Sequence, residues 1–361
     1  MSSLRLRLNL WLAAVTSVAM FTSGNASAAE SLKSGKVELQ SAGPITFGPG
    51  GVLFVGDPKS AAIFAVETGD AKADPVGPIT VEKLDAKIAG LLGTKPEDVQ
   101  INDLAVNPVS HRVYLSVSRG KGPDAIPVIL RIDAKGELSE LALEKVAHAK
   151  AVLGKPTNDA KRRQEAITGL KFVAGKLYVA GLSNEEFAST LRVLKYPFDG
   201  SESAAGIQIY HGAHGKFETA APVRTFTPIE INGKEELLAA YTCTPLVRIP
   251  VDQLQAGAKV KGTTVAELGN RNRPLDIIPY TKDGKQFVLL ANNNRGVMKV
   301  ALDGIDKIDA IVSKVQNTAG LKYDTLAELK GVEQLDKLGD KHAVLLVRNP
   351  TGVDVKTIEL P

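Results

Sequence analysis

Polar loops that follow apolar runs carry the side chains of this sequence that are best suited to bind a ligand. Amide, carboxylate and guanidinium groups can hydrogen-bond a polar molecule, and carboxylate and amide oxygens can hold a hard cation. The stretches 270–273 and 292–295 contain more amides and guanidiniums than turns need, so ligand binding and turn formation are equally favoured for them. The candidate ligand-binding residues are Asn102, Asp103, Arg119, Arg271, Arg273, Asp276, Asn292, Asn293, Arg295 and Arg348.

Other reactive residue types lack the partners that their chemistry needs. His211 and His214 would point to opposite faces of a strand, so a surface hairpin is favoured over a zinc site, although a turn would bring the two rings together. No histidine lies near Cys243 in the sequence, and we expect a buried, unreactive thiol. The charged run 161–165 is favoured as a solvated linker over a ligand clamp. No C-x-x-C-H motif occurs, which excludes covalent c-type haem.

The elements that must position the polar loops recur along the chain. Leu275–Tyr280 and Gln286–Ala291 are β-rich runs joined by a turn that contains Asp-Gly, a strong hairpin signal. Comparable turns are centred on Gly50, His111, Gly175, Gly233, Gly284 and Gly339, at intervals of 61, 64, 58, 51 and 55 residues. Six such units of about four strands predict an all-β fold, a six-bladed β-propeller. An open β-sandwich or two β-domains is the alternative, because periodicity does not establish closure.

Two further features complete the predicted ring. The last unit lacks a strand, and we expect Lys36–Gln40 to supply it and to remove an open edge. Two short helices are predicted, Val81–Leu92 with Thr80 as N-cap and Gly93 at its end, and Leu141–Leu153. Both should cap the face that carries the polar loops.

The N-terminus predicts an exported protein. Residues 1–28 contain basic residues, an apolar run and small residues before Ala28, which is typical of a secretory signal peptide, and residues 29–361 form one domain. A membrane anchor is less favoured, because the run is shorter than the ~20 residues of a span. We expect a periplasmic or secreted monomer with no membrane span after cleavage.

Charge and cysteine content exclude other classes. Removal of Arg5 and Arg7 with the signal peptide lowers the formal net charge from +4 to +2, so no nucleic-acid partner is expected. The single Cys243 permits no intrachain disulfide, and stability must come from packing.

The blade pattern resembles the six-bladed propellers of the gluconolactonase, regucalcin-like and NHL-repeat groups. Residues 101–108 are similar to their P-N-D-G-x-x-x-D-P segment, and residues 273–278 to their R-P-D-G-L-x segment. A closer resemblance, through the strings at 181–189 and 240–245, is to a group of secreted bacterial propellers. That second resemblance implies fold and export and supplies no activity.

The lactonase-like members hold one divalent cation, Ca²⁺ or Zn²⁺, on a Glu, two Asn and an Asp at the channel mouth. The resemblance implies Asn102 and Asp276 as metal ligands. The chain departs from the family pattern elsewhere, since Thr168 stands where the second Asn would be and no acid lies near Gly43.

Two functions follow from these observations. The first is an exported propeller that binds a small molecule or an envelope protein at the channel mouth, with no cofactor and no required catalysis. The alternative is a metal-dependent lactonase or esterase-like hydrolase, in which the cation polarises the ester carbonyl and activates water. A purely structural interaction module also remains open.

Overall fold

A computed structural model describes residues 32–243 and 245–361, so the predicted signal peptide lies outside the described residues. In chain order the first strands are β1 (Lys33–Gly35), β2 (Ile45–Phe47), β3 (Val52–Asp57), β4 (Ala62–Glu67), β5 (Thr80–Val81), β6 (Val99–Val106), β7 (Val113–Arg119), β8 (Ile126–Ile132), β9 (Leu138–Glu140), β10 (Val146–Val152), β11 (Gly169–Val173), β12 (Lys176–Leu182), β13 (Ser189–Lys195) and β14 (Glu202–His211). The chain continues with β15 (Lys216–Glu218), β16 (Val223–Ile231), β17 (Lys234–Tyr241), β18 (Pro245–Pro250), β19 (Lys259–Lys261), β20 (Thr263–Leu268), β21 (Pro274–Lys282), β22 (Lys285–Asn292), β23 (Gly296–Ala301), β24 (Thr318–Gly320), β25 (Asp324–Leu326), β26 (Val332–Leu338), β27 (His342–Asn349) and β28 (Gly352–Glu359). The α-helix of the described chain is α1 (Leu84–Leu92), and none of its helices is long and apolar enough to span a membrane.

These strands form six sheets, which are the blades of a six-bladed β-propeller. Blades 1 to 6 begin at the channel with β2, β6, β11, β16, β21 and β26. Each continues outward through antiparallel neighbours, and in blade 3 the strand β19 adds a parallel pair with β14. The predicted hairpin turns join the first and second strands of every blade, so the predicted fold is confirmed.

The blades do not follow one another around the ring in chain order. A buried cluster joins Leu104 and Val113 of blade 2 to Val344 of blade 6, and another joins Ile129 of blade 2 to Leu53 of blade 1. Blade 1 packs on its other side against blade 3, where Phe54 meets Val179. The ring order is therefore 1, 3, 4, 5, 6, 2, with blade 2 between blades 6 and 1.

Four blades include strands from distant segments, and those of blades 6 and 1 close the ring. In blade 6, β28 pairs with β5, with Val355 opposite Val81. In blade 1, β4 pairs with β10, and β1 is the outermost strand beside it. The expectation that Lys36–Gln40 completes the last blade is therefore wrong. A two-residue strand such as Thr80–Val81 carries no alternation pattern, so the sequence does not reveal it.

Of the two predicted helices only the first forms. Helix α1 begins at Leu84 after Lys83, which has a left-handed conformation and replaces the predicted Thr80 cap, and it ends at Gly93 as expected. Its buried face packs against blade 6 beside Val353, near the loop between the second and third strands. The second half of the stretch predicted as the second helix is instead strand β10, because pairing with β4, which is buried except for its last residue, outweighs a weak helical pattern.

Closure through β5 predicts a distinctive pattern of stability. Val81 is 1% exposed, so Val81→Asp would bury an unpaired charge and should cost about 3 kcal/mol or more of unfolding free energy. A chain that starts at Lys36 loses only the outermost strand of blade 1 and should unfold within about 1 kcal/mol of the longer chain. Denaturant unfolding measures both, and the opposite ranking would contradict closure through Thr80–Val81.

Candidate functional site

The inner strands surround a central channel that contains a cavity of about 1270 Å³. Its wall includes residues from β2, β6, β11, β16, β21 and β26, together with the loops at the mouth. Of the ten predicted ligand-binding residues, four line this cavity: Asn102, Asp103, Arg273 and Asp276.

Irregular pairing in four inner strands shapes the channel wall. In β6, β16, β21 and β26 the ladder with the second strand shifts by one residue near its start. The extra residues are Asn102, Arg224, Leu275 and Glu333, and all four line the cavity. A β-bulge turns the side chain beside it out of the regular alternation. The same bulge in four blades therefore directs these residues and their neighbours toward the channel.

Four charged side chains from four blades converge inside the channel: Asp103, Lys171, Asp276 and Asp336. Sequence reasoning found Asp103 and Asp276 and missed the other two. Lys171 alternates with apolar residues in β11, as a lysine on the solvent-facing side of a strand would. Asp336 lies two positions after Gln334, which is the residue of β26 that corresponds to Asp103 in β6. No local signal in the sequence separates such residues from surface ones.

Each carboxylate also fastens two blades together. Asp103 Oδ2 accepts a hydrogen bond from Ile45 N at 2.7 Å, and its Oδ1 accepts one from Leu104 N at 2.9 Å. Asp276 repeats this arrangement with Leu335 N at 2.9 Å and Ile277 N at 2.8 Å.

Asp336 makes the third such bridge. It accepts from Val106 N and from Lys337 N, both at 2.8 Å. The three carboxylates therefore connect blades 2 and 1, 5 and 6, and 6 and 2.

Burial and mutual repulsion raise the pKa values of the channel acids. Burial, and then the charge of Asp276, raises the pKa of Asp103 to about 8, so this carboxyl is protonated at neutral pH. Burial raises the pKa of Asp276 to about 6 and also raises that of Asp336, in both cases against the opposing charge of Lys171. Burial opposes the charged form of Lys171, but the three carboxyl groups outweigh it and raise the lysine pKa.

Gln334 links two of these acids. With its amide nitrogen turned inward, Nε2 donates to Asp103 Oδ1 at 3.0 Å and to Asp276 Oδ2 at 3.1 Å, whereas the opposite orientation sets the amide oxygen against carboxylate oxygens. Gln334 occupies the position in β26 that Asp103 and Asp276 occupy in their strands. It therefore belongs to the channel cluster, although sequence reasoning missed it.

The residues that the resemblance implies as metal ligands do not fit a cation. Both oxygens of Asp276 accept backbone N–H groups. The Asn102 amide donates to Ala42 O at 2.8 Å and to Ser118 Oγ at 2.9 Å. Thr168 Oγ1 donates to Val223 O at 2.6 Å. These groups serve the joints between strands and do not form an oxygen cage of six or more ligands.

The two loops rich in asparagine and arginine hold each other. Arg273 N donates to Asn293 Oδ1 at 2.7 Å, and Asn294 Nδ2 donates to Arg271 O. Asn292 Oδ1 caps its own turn by accepting from Arg295 N at 3.2 Å. The contacts favour the turn-forming role for stretches 270–273 and 292–295 over ligand binding.

Two predicted arginines lie at the surface away from the cavity wall. Arg119 is exposed at the end of β7, and Arg348 is exposed and pairs with Glu333 at 2.6 Å. Cys243 is partly exposed in a turn with φ 67°, so the expectation of a buried thiol is wrong. A residue with a left-handed backbone conformation does not continue the extended strand, so the side chain of Cys243 leaves the buried row of that strand and is partly exposed.

The charged run expected as a solvated linker is part of the channel mouth. Residues Ala160–Ala166 form a 3₁₀ helix in which Arg163 and Glu165 line the cavity. Glu165 accepts from Arg224 Nη2 at 2.8 Å, and Arg163 Nη1 donates to Thr157 O at 3.0 Å. Arg163 and the Arg224–Glu165 pair therefore line this part of the cavity.

No protein-family model and no curated protein sequence matches the chain. Solved structures are similar to it in fold. The PQQ-bound aldose sugar dehydrogenase of Streptomyces coelicolor shares 13% identity over 91% of this chain and 96% of that one, with a TM-score of 0.38. A streptogramin B lyase shares 11% identity over 91% and 97%, with a TM-score of 0.32. The extracellular region of plexin A4 shares 9% identity over 91% and 40%, with a TM-score of 0.42.

At these identities and scores the likenesses carry no information on activity. The strand pairing and the ring of inter-blade clusters define this chain as a six-bladed β-propeller, and its function must be argued from the channel.

The raised pKa of Asp103 predicts a pH-dependent stability. In the unfolded chain this carboxyl titrates near pH 4, whereas in the folded chain its pKa is about 8. Between these pH values the folded state holds the proton more tightly than the unfolded state does. The contribution of Asp103 to the free energy of unfolding therefore falls from pH 4 to pH 8 and is constant above pH 8. Asp103→Asn should therefore become more stable relative to the wild type as the pH rises from 5 to 8.5.

Melting temperatures of both proteins across that range measure the effect. Asp283→Asn, at an exposed hairpin turn, is the control that should melt in parallel with the wild type. Parallel curves for Asp103→Asn would show that this carboxyl does not titrate near pH 8.

Proposed function

We propose that the protein binds a small polar ligand in its central channel, with Lys171, Asp276 and Asp336 as the charged groups that contact it. The observation that carries the proposal is the convergence of charged side chains from separate blades on one cavity. The carboxylates of Asp276 and Asp336 already accept hydrogen bonds from backbone N–H groups of a neighbouring blade. Among the described contacts Lys171 interacts with the three carboxyl groups and makes no hydrogen bond to the backbone.

The balance of charge indicates the ligand class. Three carboxyl groups and one ammonium meet at the centre of the channel, so acidic groups dominate its field. This field favours groups that donate hydrogen bonds, such as hydroxyls or amines, and disfavours anions. A hydroxyl-rich or amino-bearing molecule can donate to the carboxylates and accept from Lys171.

The shape of the cavity supports a small molecule. Its volume exceeds the ~300–1,000 Å³ of common ligand pockets, which leaves room for the ligand and for water at the mouth. The charged groups lie inside the channel, where a folded partner cannot reach them. With the signal peptide predicted over residues 1–28, we propose a periplasmic or secreted location and a monomer.

Lys171→Met tests the proposal, because methionine keeps most of the side-chain length and removes the charge. The probes are a neutral hexose, a sugar lactone and an aliphatic diamine, each added to the wild type and the variant. We expect one class to raise the melting temperature of the wild type, as any ligand of the folded state does. For a hexose or a lactone, the affinity should fall by about tenfold or more in the variant, since hydrogen bonds to charged groups contribute about 1.5–3 kcal/mol. A diamine, which the lysine ammonium repels, should instead bind the variant more tightly.

Lys161→Met is the matched control, because Lys161 is exposed and lies outside the cavity wall. Calorimetric titration gives the affinities. Equal binding by the wild type and Lys171→Met, or no response of the wild type to any of the three classes, would refute the proposal.

The second function predicted from the sequence, metal-dependent lactone hydrolysis, has no support in the contacts of Asn102 and Asp276. We expect neither Ca²⁺ nor Zn²⁺ to promote hydrolysis of a sugar lactone by this protein. A metal-dependent turnover that Asp276→Asn abolishes and Asp283→Asn retains would establish the hydrolase instead.

A further inference from the structure

A hairpin on the outer edge of blade 3 brings two histidines and a glutamate together. Strand β14 ends at His211, a turn follows, and β15 returns to Glu218. Glu218 pairs with Ile209, two residues before His211, so the two side chains are diagonal neighbours on one face. The turn, in which His214 N donates to His211 O at 3.1 Å, sets one imidazole over the other with ring centroids 3.8 Å apart.

The polar atoms of this group point to one place. His211 Nδ1 lies 3.0 Å from Glu218 Oε2, and His214 Nδ1 lies 2.7 Å from Glu218 Oε1. Among the described residues this is the group of His, Cys, Asp and Glu whose ligand atoms all lie within 4.8 Å of one another. The expected hairpin forms, and its turn brings the two rings together.

We propose that His211, His214 and Glu218 form a binding site for a transition-metal ion of the Zn²⁺ class. Two imidazoles and one carboxylate are a common zinc ligand set, and a water completes a tetrahedral ion. Ligand atoms around such an ion, with bonds of about 2.0–2.1 Å, are about 3.3 Å apart. The observed separations of 2.7 and 3.0 Å need to open by only a few tenths of an ångström.

His211 has little other purpose at this position. The residue is 2% exposed, and its Nε2 has no hydrogen-bond partner among the described residues. Its one side-chain hydrogen bond in the described chain is made through Nδ1 to Glu218. Burial of a polar ring with a single satisfied nitrogen is costly, so packing alone does not account for a histidine at this position.

The neighbouring blade holds the turn in place. Gly212 N donates to Glu267 Oε1 at 2.5 Å, and Val315 N donates to Gly212 O at 3.0 Å. A Cβ at Gly212 would lie within 3.0 Å of both side chains, so only glycine permits this approach. Glu267 is therefore a positioning residue, and burial raises its pKa to about 7.

The site is open to solvent on one side. The His214 side chain is 46% exposed, which gives the ion an entry path. Lys216 approaches Glu218 to 3.8 Å, but its side chain is 66% exposed and can turn outward when a cation binds.

The test is titration of the chelator-treated full mature chain with ZnCl₂, with CaCl₂ as the hard-cation comparison. We expect one Zn²⁺ per chain, no equivalent Ca²⁺ binding, and a rise in melting temperature. His214→Ala removes an exposed ligand without opening the core, and it should lower zinc affinity at least by the roughly 10–100-fold that loss of an outer-shell partner costs.

The matched control is His342→Ala, which removes a partly exposed histidine in blade 6 and should leave zinc binding unchanged. Co²⁺ in place of Zn²⁺ adds a spectroscopic readout, since a tetrahedral site gives strong visible bands that His214→Ala should abolish. Equal zinc affinity of the wild type and His214→Ala would overturn the proposal, as would the absence of micromolar binding. Asp276→Asn should bind Zn²⁺ normally, which separates this site from the channel.

Discussion

The joints between inner strands depend on aspartates that accept backbone N–H groups from two blades at once. Three of the six seams are fastened this way, by Asp103, Asp276 and Asp336. A propeller has no hydrogen-bonded ladder between blades, so the seams need either apolar packing or side-chain bridges. Apolar packing fills the space between the sheets. At the channel, where the sheets end, carboxylates take over.

This solution has an electrostatic cost that shapes the rest of the channel. Burial of three carboxyl groups in a narrow, partly desolvated space raises their pKa values, and the charge of Asp276 raises that of Asp103 further. Lys171 and the Gln334 amide offset part of this cost. A channel built in this way is polar, so a structural requirement of the ring supplies the groups that a polar ligand would use.

The sequence predicts the number of blades well and their connection poorly. Hairpin turns such as Asp283-Gly284 are local signals, and local signals repeat with the blade. Ring order depends on which distant strands pair. Neither Thr80–Val81 nor the return of β10 to blade 1 leaves a periodic trace.

For the candidate site, too, the sequence predicts some of the residues and misses others. Asp103 and Asp276 stand in segments that resemble those of a known family, whereas Lys171 and Asp336 read as surface residues of ordinary strands. Asn292 and its neighbours are rich in polar groups because their loops must hold each other. The composition of these loops does not distinguish contacts between the loops from ligand binding. The two histidines were visible in the sequence, but only the turn after β14 reveals that their rings meet.

The seam between blades 3 and 4 differs from the carboxylate-bridged seams in a way that bears on the histidine cluster. At the channel this seam has a neutral bridge, from Thr168 Oγ1 to Val223 O at 2.6 Å. At its outer edge the contact of Gly212 with Glu267 joins the two blades. A cation held by His211, His214 and Glu218 would fix the hairpin that carries Gly212, and with it this outer contact. Metal binding to the folded chain would therefore stabilise the outer edge of this seam, while leaving the acidic channel unchanged.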